Sequence, residues 1–221
     1  MSDQATLCNI ILIFEQFLVC DCMKYLLSIL LCFVCVANIY AQEDITKLKN
    51  VGTNETMVKE QAIIYGLFIQ RLDTKSAGYP QYICVEDTKT YDRYMFEVKT
   101  ASKSDKENIF CCHIPPATYR VVSYYWVISN WYGGTAHNEP VYKGVKVDKD
   151  FNKRLDNGEI KEEDLQTYTF TIRPNTINYM GTWNFGVQPA TFANDKEKLD
   201  MEVSKQYPNI DFSMATNKTP Q

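Results

Sequence analysis

The run from Tyr119 to Trp131 constrains the fold more than any other stretch, because nine of its thirteen residues are β-branched or aromatic. Such side chains suit a pleated surface. Read with a period of two, one face carries Tyr119, Val121, Ser123, Tyr125, Val127, Ser129 and Trp131. The other carries Arg120, Val122, Tyr124, Trp126, Ile128 and Asn130. Both faces are largely apolar, so the pattern predicts an interior strand covered on its two sides. Pro115 and Pro116, which lack amide donors, suit a turn before it. Gly133 and Gly134 break the pattern after it.

The N-terminal region has to be set aside before the rest is placed. From Met23 the chain shows Lys24, an apolar run from Tyr25 to Ala37, and a small residue at Ala41. That order describes a secretory signal peptide cleaved after Ala41. The apolar run is short for a membrane span of about 20 residues, so no stable span is expected in the mature chain. Residues 1–22 carry Asp3, Glu15 and Asp21, a poor prelude to a signal peptide. They read as an upstream extension, with translation starting at Met23. Cys32 and Cys35 follow Leu31 and Val34 rather than small residues, which argues against a lipid anchor. Residues 42–59 read as a flexible leader, 60–212 as the folded domain and 213–221 as a loose tail.

Within the domain, strands are expected at Gln61–Arg71, Tyr82–Val85, Tyr94–Val98, Ile109–Ile114, Val141–Val147, Gln166–Ile172 and Ile177–Phe185, besides the aromatic one. Gly133–Pro140 and the charged stretch Asp148–Leu165 read as loops. Asn194 with Glu197 three residues later matches a capping box. The helix it opens would carry Leu199 and Val203 one turn apart and stop near Tyr207 and Pro208. Many strands with no interior linker and a single late helix predict an all-β fold, an antiparallel β-sandwich of about 7–9 strands with one short C-terminal helix.

The turn-strand from Ile114 to Val121, the pair of segments from Ile172 to Trp183, and the closing helix ending at Tyr207-Pro208 together resemble small exported β-sandwich domains of bacterial envelope proteins. The leader ending in Ala41-Gln42 is similar to those of Bacteroidetes. This chain has Pro116-Ala117 where such domains usually show Pro-Gly. The resemblance implies a sandwich and an envelope location, and brings no reaction or functional residue with it.

Candidate sites follow from residue chemistry. A net charge of −4 with mixed signs supplies no footprint for nucleic acid. With the leader removed, three of the eight cysteines remain, Cys84, Cys111 and Cys112. One bridge, from Cys84 to Cys111 or Cys112, is possible after export, and buried thiols are the alternative. Cys111, Cys112 and His113 with the distant His137 could be offered as a zinc site or a thiol nucleophile. Adjacent residues on a strand diverge, so neither is expected. Placing Gly158 at the glycine of an EF-hand loop puts Lys153 and Leu155 at ligand positions, which rejects that motif. Asp148, Asp150 and Asp156 remain only a loose acidic set. No nucleophile elbow, phosphate loop or zinc-protease motif occurs, and no cofactor is expected.

The aromatic residues beside glycines, Trp131, Tyr132 and Trp183, are the ligand-binding candidates, since rings displayed on a rim can stack on a ligand's apolar face. The expected role is therefore a non-enzymatic binding or structural one, periplasmic or at the cell surface, with a glycan, peptide or envelope protein as partner. The alternatives are a carbohydrate- or peptide-binding module using the rim aromatics, and a hydrolase with a carboxylate pair.

Overall fold

The computed structural model describes residues 45–71, 79–100, 105–130 and 133–221. The expected upstream extension and signal peptide (1–41) lie outside these residues, as do 42–44 of the expected leader. The described chain is mostly β, with two short helices. One open sheet orders β1 (Ile45–Lys47), β4 (Arg93–Lys99), β3 (Gln81–Asp87), β6 (Thr118–Asn130) and β7 (Gly133–Pro140), and β8 (Thr169–Thr171) shares the β7 side of β6. The other orders β10 (Thr191–Ala193), β9 (Ile177–Asn184), β2 (Ala62–Ile69) and β5 (Glu107–Ile114), with β11 (Thr216–Asn217) also on β9. The helices are α1 (Phe151–Asp156), which corrects the expectation of a loop over Asp148–Leu165 and of a single late helix, and α2 (Lys196–Gln206).

The two sheets pack face to face. Ile83, Phe96 and Tyr124 of the first meet Ile64, Phe68, Phe110 and Trp183 of the second. Ring centroids stand 5.3 Å apart for Phe96–Phe110 and 5.8 Å for Phe68–Tyr124. The outer face of the second sheet is covered in turn by Leu199 and Val203 of α2 and by Tyr207, Ile210 and Phe212. Strand β2 is thus buried on both sides, as its doubly apolar pattern predicts. Ile63 and Tyr65 face the helix, and Ile64 and Phe68 face the first sheet.

The expectation of a purely antiparallel sandwich is corrected by three parallel pairings, β1–β4, β2–β9 and β11–β9. Turn signals reveal hairpins between consecutive strands, and β2 instead takes both neighbours, β5 and β9, from distant parts of the chain. The aromatic strand needs a second correction. Cys84 pairs with Ser123 but Val85 pairs with Val121, so Val122 is the extra residue of a β-bulge. A bulge shifts the alternation by one. The inward set is therefore Tyr119 and Val121 before it, then Tyr124 and Trp126 after it. Both faces look apolar because the core changes from one series to the other. From Tyr125 to Ile128 the strand is only half-buried.

Segments with weak patterns turn out to be held by backbone pairing. Gly133–Pro140 is not a loop but the edge strand β7, antiparallel to β6 in the register Asn130↔Gly133 to Ser123↔Pro140. Val141–Val147, expected as a strand, is a tight turn closed by a Tyr142↔Val145 bridge, with Gly144 at φ +67°. The tail is stitched in: Thr169 and Gln221 exchange both backbone hydrogen bonds, at 3.2 and 3.3 Å. The expected capping box at Asn194 is not formed: the N-cap of α2 is Asp195, whose carboxylate is taken up by the Thr182 hydroxyl (3.1 Å) and makes no cap. Its amide donates to Tyr179 Oη at 2.7 Å, fixing the helix to β9.

Residues 45–57, expected as a flexible leader, are integral. Leu48 and Val51 are buried, and the His113 amide donates to Lys49 O at 2.9 Å. Glu55 gathers this segment, accepting from the Gly52 amide (3.0 Å), from His113 Nε2 (3.1 Å) and from Lys49 Nζ. The Lys49 hydrogen bond first, then those from Gly52 and His113, holds its carboxyl at about 2. Because the folded value lies below the ordinary 4.5, the contribution is complete above that value and drains away as pH falls toward 2. Protection of the Val51 and His113 amides, corrected for intrinsic exchange, should fall across this window. In Glu55→Gln it should be low already at neutral pH and flat with acidification. The same steep acid profile in both proteins would disprove the assignment.

Candidate functional site

The site grows out of the end of the core. Phe185 packs on Tyr124 with centroids 5.0 Å apart, and there the second sheet stops. Trp126, the next inward position of β6, lies at this edge and is half-buried. Its cross-strand partner is His137. The two rings stack 4.9 Å apart and 9° from parallel. Tyr124 lies 4.8 Å from Trp126 on the other register position of the same face. Trp126 and His137 thus form an aromatic wall of an open groove of about 540 Å³, with the fully buried Tyr124 packed beneath them.

The opposite side is polar. Arg71, just past β2, clasps Glu139 through Nη1 and Nη2 at 2.6 and 2.9 Å and donates from Nε to Phe185 O at 3.0 Å. Bidentate pairs of this kind fix geometry as well as charge. Gln188 donates to Val147 O at 2.9 Å, and Asn138, Asn152, Asp148 and Lys149 share the lining with the apolar Pro140, Val147 and Phe151. Asp148 lies 3.1 Å from Lys146 and 3.6 Å from Arg154, and the Lys146 hydrogen bond chiefly holds its carboxyl below the usual carboxylate range. A buried relay supports the wall from beneath. Tyr124 donates to Gln81 (2.6 Å), Gln81 to Gln70 (2.6 Å), and Gln70 to Asp105 O (2.7 Å). Burial pushes the Tyr124 phenol well up, against the nearby Arg71. It therefore stays a neutral donor.

The expected site residues fare differently. Trp131 and Tyr132 lie outside the described residues. Trp183 is fully buried, its indole N–H donating to Met180 O at 2.7 Å, so it is a core residue and not a displayed ring. Cys111 faces α2 and Cys112 faces the sheet interface. No disulfide joins either to Cys84, which is also buried. Burial raises both thiols of the Cys111–Cys112 pair, and a buried, protonated thiol is a poor nucleophile. His113 turns to Glu55 while His137 stacks on Trp126, so the two histidines and the cysteines do not converge. Among the described residues no cluster of three or more His, Cys, Asp or Glu is arranged to hold a metal.

Trp126, Arg71 and Glu139 were not among the expected residues, and His137 was weighed only as a metal ligand or base. A hairpin signal could have found them. The pairing Asn130↔Gly133 sets Trp126 opposite His137 and Tyr124 opposite Glu139, once Gly133–Pro140 is read as a strand. A larger groove, about 820 Å³, lies against α2. Its lining holds no aromatic ring; half of it is Lys, Glu and Asp, mostly along α2, with Leu67, Ile69 and Leu199 at its base.

No protein-family model matches the chain, and no curated protein matches it. A solved structure with some likeness is a leucine-rich repeat protein from Bacteroides thetaiotaomicron, 11% identical, with a TM-score of 0.30. The match covers 67% of this chain and 16% of that one.

Proposed function

We propose that this chain is an exported, envelope-associated binding module without catalytic activity, and that its ligand is a saccharide held in the Trp126–His137 groove. The observation that carries the reading is the half-buried Trp126–His137 stack, backed by the buried Tyr124 and lined by fixed polar side chains. A sugar offers an apolar C–H face, which stacks on aromatic rings, and a rim of hydroxyls, which pair with planar carboxylate, amide and guanidinium groups. Trp126 and His137 supply the first kind of contact, with Tyr124 packed beneath them. Glu139, Gln188 and Asn138 supply the second. Export rests on the leader from Met23 to Ala41.

A hydrolytic role is less well supported by the same groove. A glycosidase needs one carboxyl that keeps its proton near neutral pH. Both Glu139 oxygens are occupied by Arg71, and the Lys146 hydrogen bond holds the Asp148 carboxyl below the usual carboxylate range. Trp126→Ala tests the binding reading. On an array of neutral oligosaccharides the wild-type chain should bind a restricted set. The variant should lose about tenfold or more in affinity, as loss of an aromatic anchor does. A silent array, or binding that is unchanged in the variant, would defeat the proposal. So would selective capture of peptides in place of sugars.

A further inference from the structure

We infer that the outer face of the first sheet holds an anion subsite, centred on Arg120, that takes the carboxylate or sulfate of an acidic sugar. That this sugar belongs to the same ligand as the aromatic groove rests on the saccharide reading above. The subsite itself does not.

Three neighbouring strands set a row of charges across the sheet, Arg93 on β4, Glu86 on β3 and Arg120 on β6, each directly opposite the next. The Glu86 side chain is only 3% exposed. One of its oxygens accepts from Arg93 Nε at 2.9 Å and the other from Arg120 Nη2. A single buried carboxylate is thereby shared by two guanidinium groups. Arg120 spends one nitrogen on Glu86. Its Nε and Nη1 have no protein partner among the described residues, and its side chain is 42% exposed. A guanidinium fork with unused donors matches the geometry of a carboxylate or sulfate.

The row lies in a groove of about 540 Å³. Val122, Leu155 and Leu165 flank it and limit screening by water. Glu162, the other carboxylate of the lining, is exposed to solvent. The groove meets the aromatic one at Asn138 and Pro140 of β7, which line both. A ligand passing around the edge of β7 would therefore stack on Trp126 and present its charge to Arg120.

The test is a titration of the whole chain with glucuronate, glucose 6-sulfate and glucose, read from the Arg120 Nε–H resonance in ¹⁵N-labelled protein. Saturable shifts with the charged sugars and none with glucose are expected. Their ratio separates carboxylate from sulfate. Arg120→Gln should weaken the charged sugars about tenfold, with its melting temperature recorded. Should that variant not fold, the wild-type titration decides alone. Linear, non-saturating shifts, an equal response to glucose, or unchanged binding in Arg120→Gln would overturn the subsite. If neutral sugars bind through Trp126 with no preference for charge, only this inference falls. If charged sugars bind through Arg120 and no sugar depends on Trp126, the subsite stands and the reading of the aromatic groove falls.

Discussion

Trp183→Ala should cost about 3–5 kcal/mol of folding stability, the range for removing a large buried aromatic side chain. The indole is fully buried and lies edge-on to Phe96, Phe110 and Phe192, with centroids 5.8, 5.7 and 5.0 Å away. These rings come from both sheets, so the cavity would open in the middle of the interface that holds them together. The truncation also leaves Met180 O without its donor, a further desolvation cost. For a domain of this size the melting temperature should fall by roughly 10 °C. Trp183→Phe keeps the ring contacts but not the hydrogen bond, and should lose about 1–2 kcal/mol. Urea unfolding of the three proteins measures both steps. If Trp183 were instead a ligand-stacking residue, Trp183→Ala would spare stability and lose binding, and that outcome would refute its placement in the core.

How far the fold was legible depended on whether a segment is held by side chains or by backbone. Strand β2 was readable because burial on two sides leaves an apolar run that only a central strand explains. The helix was readable from Leu199 and Val203, although not its cap, since Asp195 is recruited by Thr182 on a distant strand. β7 was invisible: Gly133, Gly134, Thr135 and Ala136 are exposed, and the strand is defined by its pairing with β6. The alternation of Val141–Val147 misled for the opposite reason. Val141 is buried and Tyr142 stacks on Phe151 at 5.9 Å, so its apolar residues serve a turn and not a ladder. The bulge at Val122 left its trace, two apolar faces, but the same trace fits two-sided burial. The aromatic groove inherited these errors. Trp126 reads as an ordinary strand residue until β7 brings His137 and Glu139 beside it. The mixed topology could not be read locally, because the β2–β9 pairing joins residues more than a hundred positions apart, such as Ile63 and Ile177.

That pairing also produces the second large effect, since it brings two glycines together where no side chain fits. In the β2–β9 register Tyr65 faces Tyr179 while Leu67 faces Thr182, so β9 carries an extra residue opposite Gly66. Gly181 absorbs it at φ +89°. A Cβ at Gly181 would lie 2.6 Å from Ala193 O and within 3 Å of Thr219. The left-handed backbone alone costs a non-glycine residue about 1–2 kcal/mol, and overpacking adds about 1–3 kcal/mol. Gly66→Ala meets no adverse φ, but its Cβ would sit 2.5 Å from the Phe110 ring and 2.7 Å from Gly181 O. The ring can shift, whereas the carbonyl belongs to the neighbouring strand. Gly181→Ala should therefore lose about 3 kcal/mol or more and Gly66→Ala somewhat less. The two should not be additive, because moving β9 away from β2 to admit a Cβ at Gly66 drives Gly181 toward Ala193 O and Thr219. A double-mutant cycle by chemical denaturation measures that coupling. Additive losses would mean the two glycines answer to separate constraints, and a silent Gly181→Ala would mean that the bulge is not where β9 meets β2.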